Sequence, residues 1–198
     1  ITGDSPSTIA LSYTDSVVAR MTKFSEDGFI AVGQELTSSV PSSQFGVVLD
    51  LYTKPKVGDY MLVGDAGYAH FYTGNDWNTW SVQQVLLPPA DQVDPLDSDH
   101  AFGKVLSVDH VSFNQAVIPC SGCVASAFSG IPIGNLYVYE IDEHYKAWTQ
   151  TSTLQAVQTV GLDTCAGTRT PFSVYLGGLA VQISENNILA STDYTHCV

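Results

Sequence analysis

The apolar residues of this chain occur in short segments that are rich in β-branched and aromatic side chains. Glycine, proline, aspartate, asparagine or serine bounds nearly every segment, as expected for strands joined by turns. Apolar runs at 29–32, 61–63 and 116–118 are typical of strands buried on both faces. No window of about 12 residues carries an amphipathic helical stripe with caps at both ends. The pattern therefore predicts an all-β chain.

One segment, residues 134–142, alternates between two sets of side chains with a period of two. Successive side chains of a strand point to opposite faces of its sheet. Leu136 and Val138 are therefore expected on one face of a strand, and Tyr137 and Tyr139 on the other.

Part of the pattern occurs twice, with corresponding residues 68 positions apart. This offset aligns Phe71 with Tyr139, Trp77 with Tyr145, Trp80 with Trp148, Ser81 with Thr149 and Leu86 with Leu154. A Phe-Gly pair precedes each copy, at 45–46 and 102–103, where the offset is 57. The additional 11 residues fall mostly in the segment 120–133, which has the composition of a loop insertion. A repeat of this length predicts an array of one supersecondary unit.

Each copy predicts four antiparallel strands that form one sheet. The predicted strands are 47–52, 60–63, 68–73 and 80–86 in the first copy, and 104–109, 115–119, 136–141 and 148–154 in the second. Weaker echoes of the first hairpin lie at 16–33 and 172–190. We expect a single all-β domain over residues 1–198, with units at 8–44, 45–101, 102–171 and 172–198, of which the first and last are partial.

The order of motifs in each copy resembles the FG-GAP repeat of integrin-type β-propellers, in its microbial and algal extracellular form. The matching residues of the first copy are Phe45-Gly46 and those at 62–65, 69–72 and 80–86. Those of the second copy are Phe102-Gly103 and 117–119, 134–139 and 148–154. The resemblance covers residues 45–156 and implies four-stranded antiparallel blades that bury both faces. Since a closed propeller has at least four blades, we expect a partial propeller, a propeller completed by assembly, or another sandwich-like fold.

The two tryptophans that open the last strand of each copy test this resemblance most directly. Trp80 and Trp148 each stand six residues before an in-phase leucine. We expect both indoles to fill equivalent places in hydrophobic seams between neighbouring sheets.

The resemblance raises the question of whether the chain has a calcium site. Blades of the family often hold Ca²⁺ in an Asp-x-Asp-x-Asp-Gly loop, but the turns at 54–59, 110–114 and 184–187 lack three acids. The remaining candidate is a weak calcium site in an acidic loop, formed by Asp91, Asp94, Asp97 and Asp99. The preferred alternative is a solvated loop in which aspartates form turns, and we expect no cofactor.

The charge balance restricts the partners. The chain has 20 acidic and 7 basic residues, which gives a net charge of −13. This balance argues against nucleic acid and against an anionic membrane surface, because both need Lys and Arg to neutralise phosphates. No apolar run approaches the roughly 18 residues of a membrane span, so we expect no membrane insertion.

Four cysteines are candidates for disulfides, namely Cys120, Cys123, Cys165 and Cys197. An even number in a lysine-poor, Ser/Thr-rich chain favours an oxidising extracellular or cell-surface setting, and three pairings are open. Free thiols, and a redox or zinc role for the Cys-x-x-Cys pair, are the alternatives. Because Ile1 is not methionine, we expect a piece processed or excised from a longer precursor.

The sequence predicts no catalytic residue. The five histidines, His70, His100, His110, His144 and His196, have no metal-hydrolase spacing, and no Gly-x-Ser-x-Gly elbow is present. Glu140 and Asp142 share one face of a predicted strand, but strand-end acids are more often solvated positions. Aromatic residues at loops and strand ends form the predicted binding surface, namely Tyr68, Tyr72, Trp77, Tyr145 and Phe128.

Three functions are compatible with these patterns. The first is a non-enzymatic extracellular structural or adhesion module, which contacts protein, or alternatively glycan, through the loops 89–101, 120–133 and 157–171. The second is a protruding spike domain of a viral capsid that attaches to a receptor, against which the internal repeat argues. The third is a propeller-type hydrolase or lyase domain, which requires a pocket with convergent polar groups.

Overall fold

A computed structural model describes most of the chain. The described residues are 8–12, 18–25, 28–38, 44–54, 58–65, 67–76, 79–90, 101–112, 114–120, 123, 134–142, 144, 147–155, 162–163, 170–171, 174–185 and 187–194. In these ranges there are 15 strands and no α-helix, which confirms the predicted all-β class.

The strands form four main units and one short additional pair. Sheet 1 contains β1 (Thr8–Ser12), β2 (Val18–Ser25) and β3 (Gly28–Thr37). Sheet 2 contains β4 (Leu49–Lys54), β5 (Gly58–Asp65), β6 (Tyr68–Asp76) and β7 (Thr79–Leu86). Sheet 3 contains β8 (Ser107–Val108), β9 (Gln115–Cys120), β10 (Asn135–Asp142) and β11 (Ala147–Gln155). The short pair is β12 (Leu162–Asp163) with β13 (Thr170–Pro171), and the C-terminal hairpin is β14 (Val174–Ser184) with β15 (Asn187–Tyr194).

Sheets 2 and 3 confirm the two predicted four-stranded units. In both sheets each strand pairs antiparallel with the next strand of the chain. The first strand of sheet 3 is shorter than the predicted 104–109, because the Phe-Gly segment forms a turn before β8 begins.

The Phe-Gly pairs at 45–46 and 102–103 each form the centre of a type II β-turn. In both turns the N–H of the fourth residue donates to the carbonyl of the first at 3.2 Å. The two glycines have φ angles of 83° and 79°, which this turn requires at its third position. The two phenylalanines are fully buried, so each turn anchors the start of its sheet in the core.

The second Phe-Gly turn lies directly on the β5–β6 hairpin of the sheet before it. Gly67 N donates to Phe102 O at 2.9 Å. A Cβ at Gly103 would overlap the carbonyl oxygen of Tyr68, and a Cβ at Gly64 would overlap that of Gly103. The absence of side chains at these two glycines therefore lets the backbones of sheets 2 and 3 touch.

Three hydrophobic clusters join the four main units in chain order. The cluster between sheets 1 and 2 contains Leu36, Phe45, Met61, Val63, Tyr72 and Trp80. The cluster between sheets 2 and 3 includes Tyr60, Leu62, Phe71, Leu86, Phe102, Ile118, Tyr137, Tyr139 and Trp148. The cluster between sheet 3 and the C-terminal hairpin contains Val117, Leu136, Val138 and Ile183. Alternate residues of β5, and of β10, enter different clusters, so sheets 2 and 3 bury both faces as predicted.

Trp80 and Trp148 occupy equivalent places, as the repeat predicts. Each indole is buried in the cluster that joins its own sheet to the preceding sheet. The ring of Trp148 meets Phe71 of sheet 2 edge-to-face, with centroids 5.8 Å apart.

The pairing register corrects one detail of the sequence alignment. Phe71 does not correspond to Tyr139, because it faces the following sheet whereas Tyr139 faces the preceding one. Tyr72 is the true equivalent: Tyr72 pairs with Val82, two residues after Trp80, and Tyr139 with Gln150, two residues after Trp148. The segment between the equivalent pairs is one residue longer in the second copy, with ten residues between Tyr139 and Gln150 against nine between Tyr72 and Val82. A slip of one residue reverses the face of a side chain.

The N-terminal unit also differs from its prediction. The sequence predicted an echo of the first hairpin at 16–33, but sheet 1 has three strands, and β3 lies beside β7, the last strand of sheet 2. The hairpin β2–β3 was identified correctly, whereas its position in the array depends on contacts between sheets that a hairpin pattern does not carry. The C-terminal hairpin at 172–190 is confirmed and packs on sheet 3.

The last strands of sheets 2 and 3, β7 and β11, are called the outer strands. Both contain a β-bulge at the same place in the repeat. The register shifts between Phe71 and Tyr72 in sheet 2, and between Val138 and Tyr139 in sheet 3. These shifts leave Gln83 and Thr151, which are 68 positions apart, without a directly opposed residue. Because bulges disturb edge-to-edge pairing, they protect two outer strands that carry no charged residue.

We predict that Gly103→Ala destabilises the protein more than Gly58→Ala does. Both glycines have positive φ, which alone costs an alanine about 1–3 kcal/mol. At Gly58 the nearest atom to an added Cβ is Gly74 O at 3.3 Å, whereas at Gly103 the Cβ would overlap backbone of sheet 2. Urea unfolding of both variants measures the difference, and equal losses of unfolding free energy would contradict the backbone contact.

Candidate functional site

A fully buried carboxylate and a fully buried imidazole lie where sheet 2 meets sheet 1. Asp65 ends β5 and His70 lies in β6, and both side chains are fully buried. His70 Nε2 lies 3.3 Å from Asp65 Oδ2, and Ser38, just after β3, donates its hydroxyl to the same oxygen at 3.0 Å. A residue from sheet 1 and two from sheet 2 therefore share one buried hydrogen-bonded group.

His70 is held in its neutral form. Burial lowers the pKa of His70, and the adjacent Asp65 carboxylate opposes this effect only partly. When Nε2 carries the proton and donates to Asp65, Nδ1 is unprotonated and has no hydrogen-bond partner among the described residues. Protonation of Nδ1 would create a buried N–H group without an acceptor, which is unfavourable.

Sheet 3 carries a different polar group at the equivalent place. The strand registers align Asp65 with Cys120 and His70 with Tyr137. Phe45 packs on His70 with ring centroids 5.1 Å apart, and its equivalent Phe102 packs on Tyr137 at 5.9 Å. The repeat therefore preserves the ring contact and changes the chemistry beside it.

Cys120 and Cys123 form a disulfide at the end of β9. Their Cα atoms are 5.3 Å apart, and Cys123 N donates to Cys120 O at 3.3 Å, which closes a turn. Both residues are fully buried in the cluster between sheets 2 and 3. The geometry of this pair fits the disulfide interpretation, while Cys165 and Cys197 lie outside the described residues.

A second polar contact joins β4 and β8, the first strands of sheets 2 and 3, which are called the inner strands. Asp50 of β4 accepts a hydrogen bond from Val108 N at 2.8 Å, and its other oxygen lies 2.7 Å from His110 Nε2. Burial raises the pKa of Asp50, although these two partners favour the carboxylate. Ser107 of sheet 3 corresponds to Asp50 of sheet 2. Its hydroxyl accepts a hydrogen bond from Ile183 N at 3.4 Å.

Two tyrosine hydroxyls join the outer parts of the sheets. Tyr72 donates to Thr37 O at the end of β3, and Tyr139 donates to Leu87 O just after β7, both at 3.3 Å. Burial, with a contribution from the Asp65 carboxylate, raises the pKa of Tyr72 to about 12. Burial also raises the pKa of Tyr139. Both hydroxyls therefore stay protonated and donate at neutral pH.

Gln84 makes a contact that the sequence gave no reason to expect. Its side-chain amide donates to Trp148 O at 2.9 Å and accepts from Trp148 N at 2.7 Å. One glutamine of β7 thus satisfies both backbone groups of a residue in the next outer strand. The only sequence signal is its position, four residues after Trp80, and such a pattern is too common to identify a contact.

The turn that the resemblance associates with calcium is closed by its own hydrogen bonds. The Asp109 carboxylate accepts from the Ser112 hydroxyl and from the backbone N–H groups of Val111 and Ser112. Burial alone would raise the pKa of Asp109, but these bonds, with one from Glu185 N, hold it below its ordinary value. In the described part of the chain, no three His, Cys, Asp or Glu side chains are grouped to hold a metal ion.

The predicted binding surface is partly corrected. Tyr72 was expected at the surface, but it is only 4% exposed, because its ring faces sheet 1. Tyr68 is half-buried. The other predicted surface and metal residues lie outside the described ranges, namely Trp77, Phe128, Tyr145, Asp91, Asp94, Asp97 and Asp99.

The predicted acid pair of β10 lies at the surface. Glu140 and Asp142 are exposed. Glu140 accepts a hydrogen bond from Gln115 at 3.2 Å, and Asp142 accepts one from His144 N at 2.9 Å. Both carboxylates therefore take part in local surface contacts.

Comparison with known proteins identifies no relative: no protein-family model matches the chain, and no curated protein does. Within the described ranges, no helix is long and apolar enough to cross a membrane.

We predict that removal of His70 weakens the pH dependence of stability. The pKa of His70 is lowered in the folded state from its ordinary value of 6.5, so the unfolded chain binds more protons as the pH falls below 6.5. The stabilising effect of neutral His70 is complete above that pH and is lost below it, with a slope of at most about 1.4 kcal/mol per pH unit.

The measurement is the unfolding free energy of the wild type and of His70→Gln from about pH 7.5 to about pH 5. His144→Gln, which removes an exposed histidine, is the matched control and should keep the wild-type slope. Parallel curves for the wild type and His70→Gln would show that His70 is not the group responsible.

Proposed function

We propose that this chain is a non-enzymatic extracellular module of FG-GAP-like propeller blades that makes protein–protein contacts, in adhesion or in an extracellular assembly. The observation that carries the proposal is one set of junction contacts that occurs twice, between sheets 1 and 2 and between sheets 2 and 3. In each junction a Phe-Gly turn anchors the later sheet, a tyrosine hydroxyl reaches the end of the earlier sheet, and an indole fills the seam.

Repeated contacts of this kind support a blade architecture. If two successive junctions use the same contacts, the same rotation relates each sheet to the next, which is the construction rule of a propeller. The inner strands β4 and β8 are joined by Asp50, and the outer strands β7 and β11 by Gln84. Sheets 2 and 3 are therefore held together at both ends, as neighbouring blades must be.

The use of the ionisable residues supports a structural role over a catalytic one. Asp65 and His70 are fully buried and are engaged in the junction between two sheets. Asp50 and Asp109 bind backbone N–H groups. These carboxylates and the buried imidazole serve to hold strands and turns together, so contact with a partner falls to the segments between the strands.

The segment between β9 and β10 is the strongest contact candidate. It spans 14 residues, whereas the equivalent connection between β5 and β6 spans two. Sheet 3 has the same strands and junction contacts as sheet 2, so the sheet itself does not require the additional length. An insertion that the fold does not require is a common place for binding residues.

The disulfide supports the extracellular part of the proposal. Cys120 and Cys123 are bonded at the start of this same insertion. Disulfides persist in oxidising compartments and are rare in the cytosol. A rigid start would also reduce the entropy that the insertion loses when it binds a partner.

We expect labelled protein to bind saturably to the exterior of cells from its own source, with unlabelled protein as competitor. Replacement of residues 124–133 by a Gly-Ser linker of equal length keeps both cysteines and removes Phe128. The affinity should fall at least about tenfold, the effect of losing one aromatic anchor.

The matched control is Thr149→Ala, an exposed position of β11 that should leave binding unchanged. Absence of saturable binding would count against a contact function at the cell surface. Binding that survives the linker replacement would remove the insertion from the proposed surface.

A further inference from the structure

We infer that the Cys120–Cys123 disulfide is a redox-controlled latch, which a dithiol opens and an oxidised dithiol closes while the array of sheets stays folded. The closed latch holds Cys123 in the seam between sheets 2 and 3, and the open latch releases this residue. The inference concerns the folded chain itself and is independent of the proposed contact function.

The disulfide joins two residues of one turn instead of two distant parts of the chain. Its cysteines are three positions apart, and Cys123 N donates to Cys120 O across the same turn at 3.3 Å. A disulfide that closes a shorter loop restricts the unfolded chain less and therefore stabilises the fold less. Reduction should thus cost the array little stability, and it separates no strand from its neighbour.

Sheet 2 shows that the repeated unit folds without such a bond. The strand registers place Asp65 where sheet 3 has Cys120, and the connection from β5 to β6 spans two residues. Asp65 accepts a hydrogen bond from Ser38 of sheet 1, so it helps to hold two sheets together. Both ends of the disulfide belong instead to the connection between β9 and β10. The bond is therefore not part of the repeated junction.

The two cysteines are anchored unequally. Cys120 is the last residue of β9, and it pairs with Asn135 in the ladder between β9 and β10. Cys123 lies beyond the end of the strand, where the disulfide and the turn hydrogen bond hold it in the apolar cluster. When the disulfide is reduced, Cys120 keeps its place in the sheet and Cys123 loses its covalent anchor. Cys123 is therefore the residue whose position depends on the redox state.

Burial determines how the latch is reached and how it closes again. Both cysteines are 0% exposed, so a reductant reaches a sulfur only when the turn opens locally, which costs less free energy than unfolding the array. A thiol packs like a small apolar group, so the reduced pair also suits this cluster. The Cα atoms are 5.3 Å apart, which a disulfide accommodates without movement of the backbone.

Opening of the latch is a thiol–disulfide exchange. One thiolate of the dithiol attacks Cys123 Sγ, the bond between the two sulfurs breaks, and Cys120 Sγ leaves as a thiolate that takes up a proton. The second thiol of the reductant then attacks the mixed disulfide, releases Cys123 as a thiol and closes the reductant into a cyclic disulfide. Two electrons and two protons pass from the dithiol to the cysteine pair. The oxidised dithiol closes the latch by the reverse steps.

The first measurement follows the two thiols in the folded protein. The chain is equilibrated with mixtures of reduced and oxidised dithiothreitol, its free thiols are alkylated, and trypsin is added. Cleavage after Lys104 and Lys146 yields the peptide 105–146, which contains Cys120 and Cys123 and neither of the other two cysteines. We expect this peptide to pass from no label to two labels in one step without urea, and to return to no label after reoxidation.

The second measurement shows whether the array stays folded and whether Cys123 is released. The urea midpoint of the reduced protein should stay close to that of the oxidised protein. Amide hydrogens of residues 120–123 should exchange at least about tenfold faster after reduction, because the turn then opens without a covalent restraint. Amide hydrogens of β5 and β6 should keep their rates.

The double variant Cys120→Ser with Cys123→Ser is the matched control, since it represents the open latch permanently. It should show fast exchange at 120–123 whether or not the dithiol is present. An exchange rate that still responds to the dithiol in this variant would assign the response to Cys165 or Cys197 and would overturn the inference.

Three further results would also overturn it. Labels that enter the peptide only at urea concentrations that unfold the array would make the bond a fixed structural link. Two labels in the untreated protein would show that the pair is not oxidised, and loss of the folded state on reduction would show that the array depends on the bond. No binding partner enters these measurements, so a failure here is distinguishable from a failure of the proposed function.

Discussion

The remaining structure depends on one backbone contact. It joins the Phe-Gly turn of sheet 3 to the β5–β6 hairpin of sheet 2. At Gly64 and Gly103 no side chain separates the two backbone segments, so the distance between sheets 2 and 3 is fixed at this point. Phe102 then fills the space below the turn, and Trp148 closes the seam at its outer end. A larger residue at either glycine would move every contact farther along the seam.

Several polar groups at the junctions follow the same logic, since their hydrogen bonds span two sheets. A buried donor or acceptor costs free energy unless it is hydrogen-bonded, and here the partner is supplied by the neighbouring unit. Ser38 meets Asp65 across one junction, and Asp50 meets Val108 N across the next. Hydrophobic seams alone would tolerate sliding, whereas these bonds admit one relative position of the sheets.

The sequence was sufficient for the strands and insufficient for their partners. Period-two alternation and turn residues identified all eight strands of sheets 2 and 3, because both signals are local. The alignment of Phe71 with Tyr139 failed by one residue, since the length of a hairpin turn decides which face a side chain takes. The bond between Cys120 and Cys123, the Asp65–His70 pair and the contact of Gln84 with Trp148 depend on tertiary placement. No spacing within one strand encodes such contacts.

The order of the seams has a consequence for cooperativity. Each described sheet is stabilised by the units directly beside it, so the free energy of the array behaves as a sum of nearest-neighbour couplings. Sheet 2 has a coupling on each face, whereas the terminal units have one. Opening should therefore begin at the two ends of the array, and amide hydrogens of β5 and β6 should be the last to exchange with solvent.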